Sequence, residues 1–257
     1  MGGWLARYFE ARGHGVRILD HRRGAAGRPR IPSIEVAARE ADAIVFATPI
    51  DETAPVLARL LATGTDALIF DVLSLKSPIL PLVHRAAGDG AKIASVHPMF
   101  GPSARQLSGR NLLLLSCGNR TADAAVGRLF AGSGLRVSRL PIDQHDRLIA
   151  DALGLPQALD LLLLLALGTG RTSRRDLARA AGTSLRRHRA AAANLKRQSL
   201  ALTVALQARN PYGRATLRRI RASVDRLERL LRDGDLGAIQ VAIDRGLDRL
   251  GAVRAES

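Results

Sequence analysis

The 257-residue chain has one cysteine, Cys117. A single thiol excludes an internal disulfide framework and any zinc site built on cysteines, and is the usage expected in a reducing cytoplasm. Aromatic residues make up only 3% of a chain that is 47% hydrophobic, so Leu, Val, Ile and Ala must fill its core, and disorder is excluded. The longest purely apolar run, Leu161 to Leu167, is far short of the roughly 20 residues a membrane span needs. Met1-Gly2-Gly3-Trp4 lacks the ordered basic and apolar regions of a secretory signal. The expectation is a cytoplasmic protein with no membrane partner.

Acidic charge is also in deficit: 39 basic against 23 acidic residues leave a formal charge of +16. Such a balance fits nucleic acid, steering of anionic ligands, or solvated Arg-rich helix faces. The basic residues concentrate between Arg171 and Arg232, where Tyr212 is the one aromatic residue. Single-strand binders interleave aromatic stacking platforms with their charge, so no nucleic-acid partner is expected.

What is present is organised around Ser95-Val96-His97-Pro98-Met99-Phe100-Gly101-Pro102. Pro98 and Pro102 stiffen this segment, and Gly101 permits a turn or a close approach by a ligand. The pattern predicts a strand running into a rigid loop, with His97 at the carboxyl edge of a sheet, where open α/β folds keep their chemistry.

From the start, Leu5, Tyr8 and Phe9 share one helical face, ended by Gly13 and Gly15, and Val16 to Asp20 reads as a strand closing on an acid. These are the last two thirds of a βαβ dinucleotide unit, with Gly2 as the third fingerprint glycine, Gly3 beside it, and Asp20 as the acid that bonds the ribose hydroxyls. The first strand and first two glycines of the unit are not in the sequence, which points to a start codon upstream or to a damaged cofactor site; the intact downstream pattern favours the former. Asp20 argues for NAD, whereas Arg22 or Arg23 would accept the 2′-phosphate of NADP. A polar loop follows to Pro32. Helices at Ile34–Glu40, Glu52–Ala62, up to Ala87, and Thr121–Ser133 alternate with strands at Ala43–Ala47 (running into Thr48-Pro49), Ala67–Val72, the segment before His97, Asn111–Ser116 and Leu135–Leu140. That alternation means a parallel, doubly wound sheet.

At Pro141 the character changes to long helical patterns, and residues 1–141 and 142–257 are read as two domains. Leu148, Leu155, Leu159 and Leu162 mark one helix, and Leu195, Leu202 and Leu206 a second, stopped by Asn210-Pro211. Leu217 to Leu231 mark a third and Ile239 to Leu250 a fourth. The Leu161–Leu165 segment is apolar all round, so it should be buried on every side, most simply across the interface of a homodimer.

Three constellations fall where strands end: Ser74 with Lys76, then His97, then His145-Asp146 at the opening of the helical half. Singly, Ser74 reads equally as a helix cap, Lys76 as a surface charge and His145 as a helix N-terminal residue. Jointly, a hydroxyl, a neutral base and a cation around a nicotinamide crevice suit hydride transfer from an alcohol.

With Met1-Gly2-Gly3-Trp4, Asp71-Val72-x-Ser74-x-Lys76, His97-Pro98-Met99-Phe100-Gly101-Pro102 and His145-Asp146-Arg147-Leu148 in this order and spacing, the chain resembles the prephenate/arogenate dehydrogenase family. The resemblance implies a Rossmann-type domain followed by an all-α dimerisation domain. It also implies NAD(P)-dependent oxidative decarboxylation of prephenate to 4-hydroxyphenylpyruvate, in tyrosine biosynthesis, without a metal. His97 would accept the ring 4-hydroxyl proton, and Ser74 would bond His97 or the ring oxygen and hold the accepting tautomer. His145 would gate or bind at the cleft mouth with Lys76 nearby, Arg186 (or its neighbour Arg187) would clamp a substrate carboxylate, and Thr48 and Pro49 would border the cofactor with Gly2, Gly3 and Asp20. Where the family reads Leu-x-His, this chain has Leu155-Pro156-Gln157. A neutral amide there fits either a tolerated replacement or another substrate, arogenate or 4-amino-4-deoxyprephenate. A catalytically silent dimeric remnant is the remaining alternative.

Overall fold

The computed structural model describes residues 1–20, 28–197 and 199–251. Five strands form one sheet in sequence order: β1 (Ala43–Phe46), β2 (Leu68–Asp71), β3 (Ile93–Pro98), β4 (Asn111–Ser116) and β5 (Arg136–Pro141). Strands β1, β2 and β3 are parallel, with Phe46 beside Asp71 and Asp71 beside Ser95. Crossover helices α3 (Ile50–Leu61) and α4 (Leu80–Gly88) make those parallel connections. No described helix joins β3 to β4, and the chain turns back, so β4 runs antiparallel to β3 and places Leu113 beside His97. A parallel pair needs a crossover element; the loop after Pro98 supplies none, and this one pair departs from the all-parallel expectation. β5 is parallel to β4 across α5 (Arg120–Leu129).

Alternation along the strands sorts the core into two layers. One face carries Phe46, Ile69, Ile93, Leu113 and Leu115 against α2 (Ile34–Glu40), α3 and α4. The other carries Phe70, Val72, Ala94, Val96, Leu112 and Leu114 against α5 and α1 (Gly2–Glu10), whose Leu5, Tyr8 and Phe9 form the stripe seen in the sequence. Few aromatic residues suffice because they are concentrated: Trp4, Tyr8, Phe9, Phe70 and Phe130 meet in this second layer at ring-centroid distances of 5.2 to 6.5 Å. Local signals start the helices where expected. Ser33 Oγ accepts from the Val36 amide at α2, and Asn119 Oδ1 accepts from the Ala122 amide at α5.

The segment Val16–Asp20 does not join the sheet. It makes one isolated parallel bridge, Ile18 with Arg30, and pairs with none of the five strands. A strand needs a neighbour for its ladder groups, and the described residues put none beside it. Arg22 and Arg23, the candidate 2′-phosphate ligands, lie outside the described residues.

Pro141 both ends β5 and caps α6 (Ile142–Ile149), which passes without a break through a wide π-helical turn (π1, Ala150–Gly154) into α7 (Leu155–Thr169). Then follow α8 (Arg174–Arg179), α9 (Thr183–Arg197), α10 (Leu200–Val204), a second π-helical turn (π2, Ala205–Arg209), α11 (Gly213–Asp233) and α12 (Leu236–Leu250). The single helix expected over Leu195–Leu206 is thus divided: Ser199 Oγ caps a new start at α10 by accepting from the Leu202 amide. Ile142, Ile149 and Leu206 join the first core layer, so the two halves share one apolar cluster. The burial expected around Leu161–Leu165 is not met within one chain: Leu159 is 51% and Leu165 67% exposed.

Candidate active site

The elements converge on the carboxyl ends of β1, β2 and β3. His97 is the penultimate residue of β3, still within the ladder rather than in the loop beyond it, and is only 4% exposed. Because β5 runs opposite to β3, α6 begins level with the start of β3 and returns across the sheet face, bringing His145 and Asp146 to His97 one turn later.

There a chain of bonds is closed. His97 Nδ1 lies 2.9 Å from His145 Nε2, and His145 Nδ1 lies 2.6 Å from Asp146 Oδ1. The Asp146 carboxylate also accepts the main-chain amides of Lys76 (2.8 Å, Oδ1) and Ser77 (2.7 Å, Oδ2). Burial opposes ionisation of Asp146, but the His145 ring and these two amides outweigh it and hold the carboxyl below its usual range. An ionised carboxylate only accepts, so His145 carries its proton on Nδ1. Burial, reinforced for His97 by the neighbouring His145 and Lys76, pushes both imidazoles below 6.5, and His97 well below it. A neutral His145 then presents a lone pair at Nε2, His97 must donate from Nδ1, and His97 Nε2 is left as an unprotonated base.

Behind this relay lies a buried ion pair. Lys76 is 1% exposed; its Nζ donates to Asp71 Oδ1 at 2.5 Å and to the Val96 carbonyl at 2.9 Å. Asn210 Nδ2 donates to the Asp146 carbonyl at 2.8 Å, fixing α6 from the chain segment just before α11. Gln207 on π2 donates from Nε2 to the Gly154 carbonyl (2.9 Å) and to Gln157 Oε1 (3.0 Å), which ties the two π-helical turns together. Such turns widen the helix and recur at functional sites. Gly213 is required beside them, since a Cβ there would fall 2.2 Å from the Gln207 carbonyl oxygen.

The start of α1 reaches the same edge of the sheet. A Cβ on Gly2 would lie 3.4 Å from Ala47 Cβ, just past the end of β1, and Trp4 packs edge-on against Phe100 and donates from Nε1 to the Ala104 carbonyl, both beyond β3. No side chain caps the first turn of α1, and the Trp4 and Leu5 amides bond the Met1 carbonyl, which leaves the Gly2 and Gly3 amides open to an anion.

A family model described as "Prephenate dehydrogenase, nucleotide-binding domain" matches residues 22–117. The 4-amino-4-deoxyprephenate dehydrogenase of Streptomyces pristinaespiralis is 33% identical over 172 residues, covering 65% of this chain and 53% of that protein. Over these residues the chain is similar to the prephenate/arogenate dehydrogenase family. A probable arogenate/prephenate dehydrogenase of Methanocaldococcus jannaschii is 25% identical over 181 residues, 65% of this chain and 39% of that protein. The chain thus spans about half the length, or less, of these curated relatives. In fold it matches the prephenate dehydrogenase from A. aeolicus, solved in complex with hydroxyphenyl propionate and NAD+, with a TM-score of 0.79 at 16% identity, over 98% of this chain and 94% of that one. Synechocystis arogenate dehydrogenase matches with a TM-score of 0.76 at 17% identity, over 98% and 96%.

Within this fold, several expected side chains stand elsewhere. His145 is not at a cleft mouth: it is fully buried, because its ring must lie between His97 and Asp146. The bond to His97 Nδ1 comes from His145 and not from Ser74, which is half-buried in the turn after β2. Lys76 is turned inward onto Asp71 and is buried, not a surface charge. Arg186 is exposed on α9 and donates to its own Ala181 carbonyl, with no bond to the relay; Arg187 is likewise exposed. Gln157 is buried at 4% and held by Gln207. Thr48 and Pro49 do lie at the end of β1, where the Thr48 and Thr53 hydroxyls are 2.7 Å apart and the Pro49 carbonyl accepts from Thr53. Asp20 is exposed, and its carbonyl accepts from Arg30.

Sequence reasoning missed Asp146 as the end of the relay and missed Asn210 and Gln207. The His145-Asp146 dipeptide was the available signal for the first; Asn210 read only as a helix stop.

Proposed function

We propose that the chain is an NAD(P)-dependent oxidoreductase that oxidatively decarboxylates a prephenate-like cyclohexadienyl acid. The observation that carries this reading is the Asp146–His145–His97 relay, which leaves an unprotonated His97 Nε2 at the carboxyl edge of a sheet that also meets the amino end of α1. His97 Nε2 takes the proton of the ring 4-hydroxyl as hydride leaves C4. Loss of the ring carboxylate as carbon dioxide aromatises the product, giving 4-hydroxyphenylpyruvate from prephenate. Bound NAD(P)+ supplies the two-electron acceptor. The residues present fit that cofactor: the free first-turn amides at Gly2 and Gly3 suit a diphosphate, Thr48 and Pro49 border the edge beside them, and Asp20 is the ribose candidate. His145 and Asp146 act through His97, holding its tautomer and accepting the imidazolium that forms. Residues 1–141 supply the cofactor side and residues 142–257 the covering helices.

A second reading concerns the substrate. Gln157, neutral and clamped by Gln207, and the likeness to the Streptomyces enzyme favour 4-amino-4-deoxyprephenate over prephenate, with arogenate between them. The test is reduced-nicotinamide formation with each of the three acids and with NAD+ and NADP+ in turn. Turnover of one acid assigns the substrate; turnover of none, in protein that is folded, would leave the remnant reading standing.

We further propose a homodimer in the cytoplasm. Leu159, Leu162 and Leu165 on α7, Leu217, Val224, Leu227 and Leu231 on α11, and Val241, Ile243 and Leu247 on α12 form apolar faces exposed on the single chain. Faces of that extent mark an interaction surface, and a second copy offers the same chemistry. The continuous helix Ile142–Thr169 is long and apolar enough to cross a membrane by length and composition. Its first third, however, is bonded into the relay, and the 15 residues of α7 reach only about 22 Å, less than the roughly 30 Å of a bilayer core. Leu165→Glu should convert the dimer to monomer in sedimentation; an unchanged mass would remove α7 from the interface.

A further inference from the structure

We infer that Lys76 is a positioning residue for the base: its main-chain N–H holds Asp146 at one end of the relay, and its ammonium holds the Val96 carbonyl, next to His97, at the other. This deepens the proposed reaction and rests on it for its kinetic readout alone.

The geometry is specific. Lys76 follows the end of β2 by five residues, and the chain between them folds back so that Nζ meets Asp71 Oδ1, which also accepts the Leu73 amide at 2.9 Å. One residue thereby touches both termini of a three-residue relay drawn from β3 and α6, elements with no bond to each other in sequence. A shift of the Lys76 segment would move Asp146 and the Val96–His97 peptide together, so this strut joins Asn210 and the β3–β4 ladder in setting the His97–His145 distance.

A structural explanation of the pair is weak. Burying an ammonium and a carboxylate costs several kcal/mol per ion before pairing, and apolar replacements of such pairs are often about neutral. Asp71 Oδ2 has no described partner, so this pair is not even fully bonded. An internal cation beside the base has a chemical use instead. The groups facing His97 are His145 and Asp146 from α6 and Lys76 from the segment after β2. Those facing Lys76 are Asp71 on β2, Cys117 after β4 and Asp146. A fixed positive charge in this set opposes a second one on either imidazole, and so keeps the His145 lone pair and the His97 Nδ1–H in place.

The test uses the full chain with isotope-labelled histidine, and reads the ring nitrogen shifts of His97 against pH, the resonance being assigned with His97→Asn. Lys76→Met leaves Asp71 buried without its cation and can fail to fold. Asp71→Asn/Lys76→Met removes both charges, keeps the acceptor for Leu73 and leaves the main-chain amides intact. The wild-type ring should be the Nδ1–H tautomer and neutral at pH 6.5. In the folded double variant the tautomer signal should become mixed and the titration midpoint rise. With the accepted substrate, kcat should fall about tenfold or more at nearly constant KM, with the acid limb of kcat moved to higher pH. A wild-type ring in the Nε2–H form, or a folded double variant with unchanged ring titration and tautomer, would overturn the inference. The ring titration needs no substrate, so failure to turn over any of the three acids would count against the proposed reaction and leave this result readable.

Discussion

Asp146→Asn is the sharpest single perturbation of the relay. The side chain keeps its shape, but one oxygen that accepts becomes an NH2 that donates. The wild-type carboxylate receives three donors: His145 Nδ1 at 2.6 Å, the Lys76 amide at 2.8 Å and the Ser77 amide at 2.7 Å. In the amide, one orientation sets the NH2 against the Ser77 N–H, and the other sets it against both the Lys76 N–H and the His145 ring. The first orientation leaves one buried donor unpaired and weakens two charge-assisted bonds, a stability cost of about 1–3 kcal/mol. For a chain this long that corresponds to a fall in Tm of roughly 2–12 °C, at about 2–4 °C per kcal/mol. The second orientation inverts His145, so that His97 must present a proton where the base is needed. The first orientation holds the accepting tautomer only through a weaker, uncharged acceptor and the second abolishes it; with the loss of the carboxylate that stabilises the imidazolium, kcat should drop about 10²- to 10⁴-fold, the range general-base assistance contributes. Cofactor affinity should be unchanged, because Asp146 lies behind His145 on the helical side. Initial rates, cofactor titration and thermal unfolding of the same preparation measure all three. A variant that unfolds 2–12 °C lower yet turns over within threefold of wild type would refute the relay while leaving the fold intact.

His97→Asn removes the base itself and should cut turnover about 100-fold or more with cofactor binding retained; unchanged turnover would end its assignment. Stability should fall on acidification. His97 and His145 are held below their ordinary value of 6.5 by burial, so the unfolded chain binds protons first as pH drops; stability is complete above about pH 6.5 and declines below it toward the depressed native values. Urea midpoints at pH 7.5 and 5.5 check this, and His97→Asn should flatten the slope. Gly213→Ala should destabilise by about 1–3 kcal/mol or more, since its Cβ falls on the rigid Gln207 carbonyl; a neutral urea midpoint would show that π2 can move.

Much of this protein was legible in the residues themselves. The alternation of apolar runs with helical stripes placed all five strands of the sheet and most helix starts, because burial on two faces and local capping act over a few residues. His97, Ser74 and Lys76 stood out because each ends or follows a strand, His145-Asp146 because it opens the helical half, and Gly2 as the third glycine of a dinucleotide fingerprint. Val16–Asp20 misled, since a strand-like pattern describes what a segment can pair with and not whether a partner stands beside it.

What the sequence by itself determined, then, is the order of elements, the sheet and the residue types at its edge. Only the tertiary structure decided their roles. It turned β4 back against β3 for want of a crossover helix, drove His145 from an expected mouth into the interior, and turned Lys76 inward to span the relay. Those outcomes depend on contacts between residues 20 to 70 positions apart, such as Lys76 with Asp146, and directional bonds at such separations leave no period in the chain. The same physics explains the Leu161–Leu165 helix: composition requires it to be covered, but a single chain does not cover it.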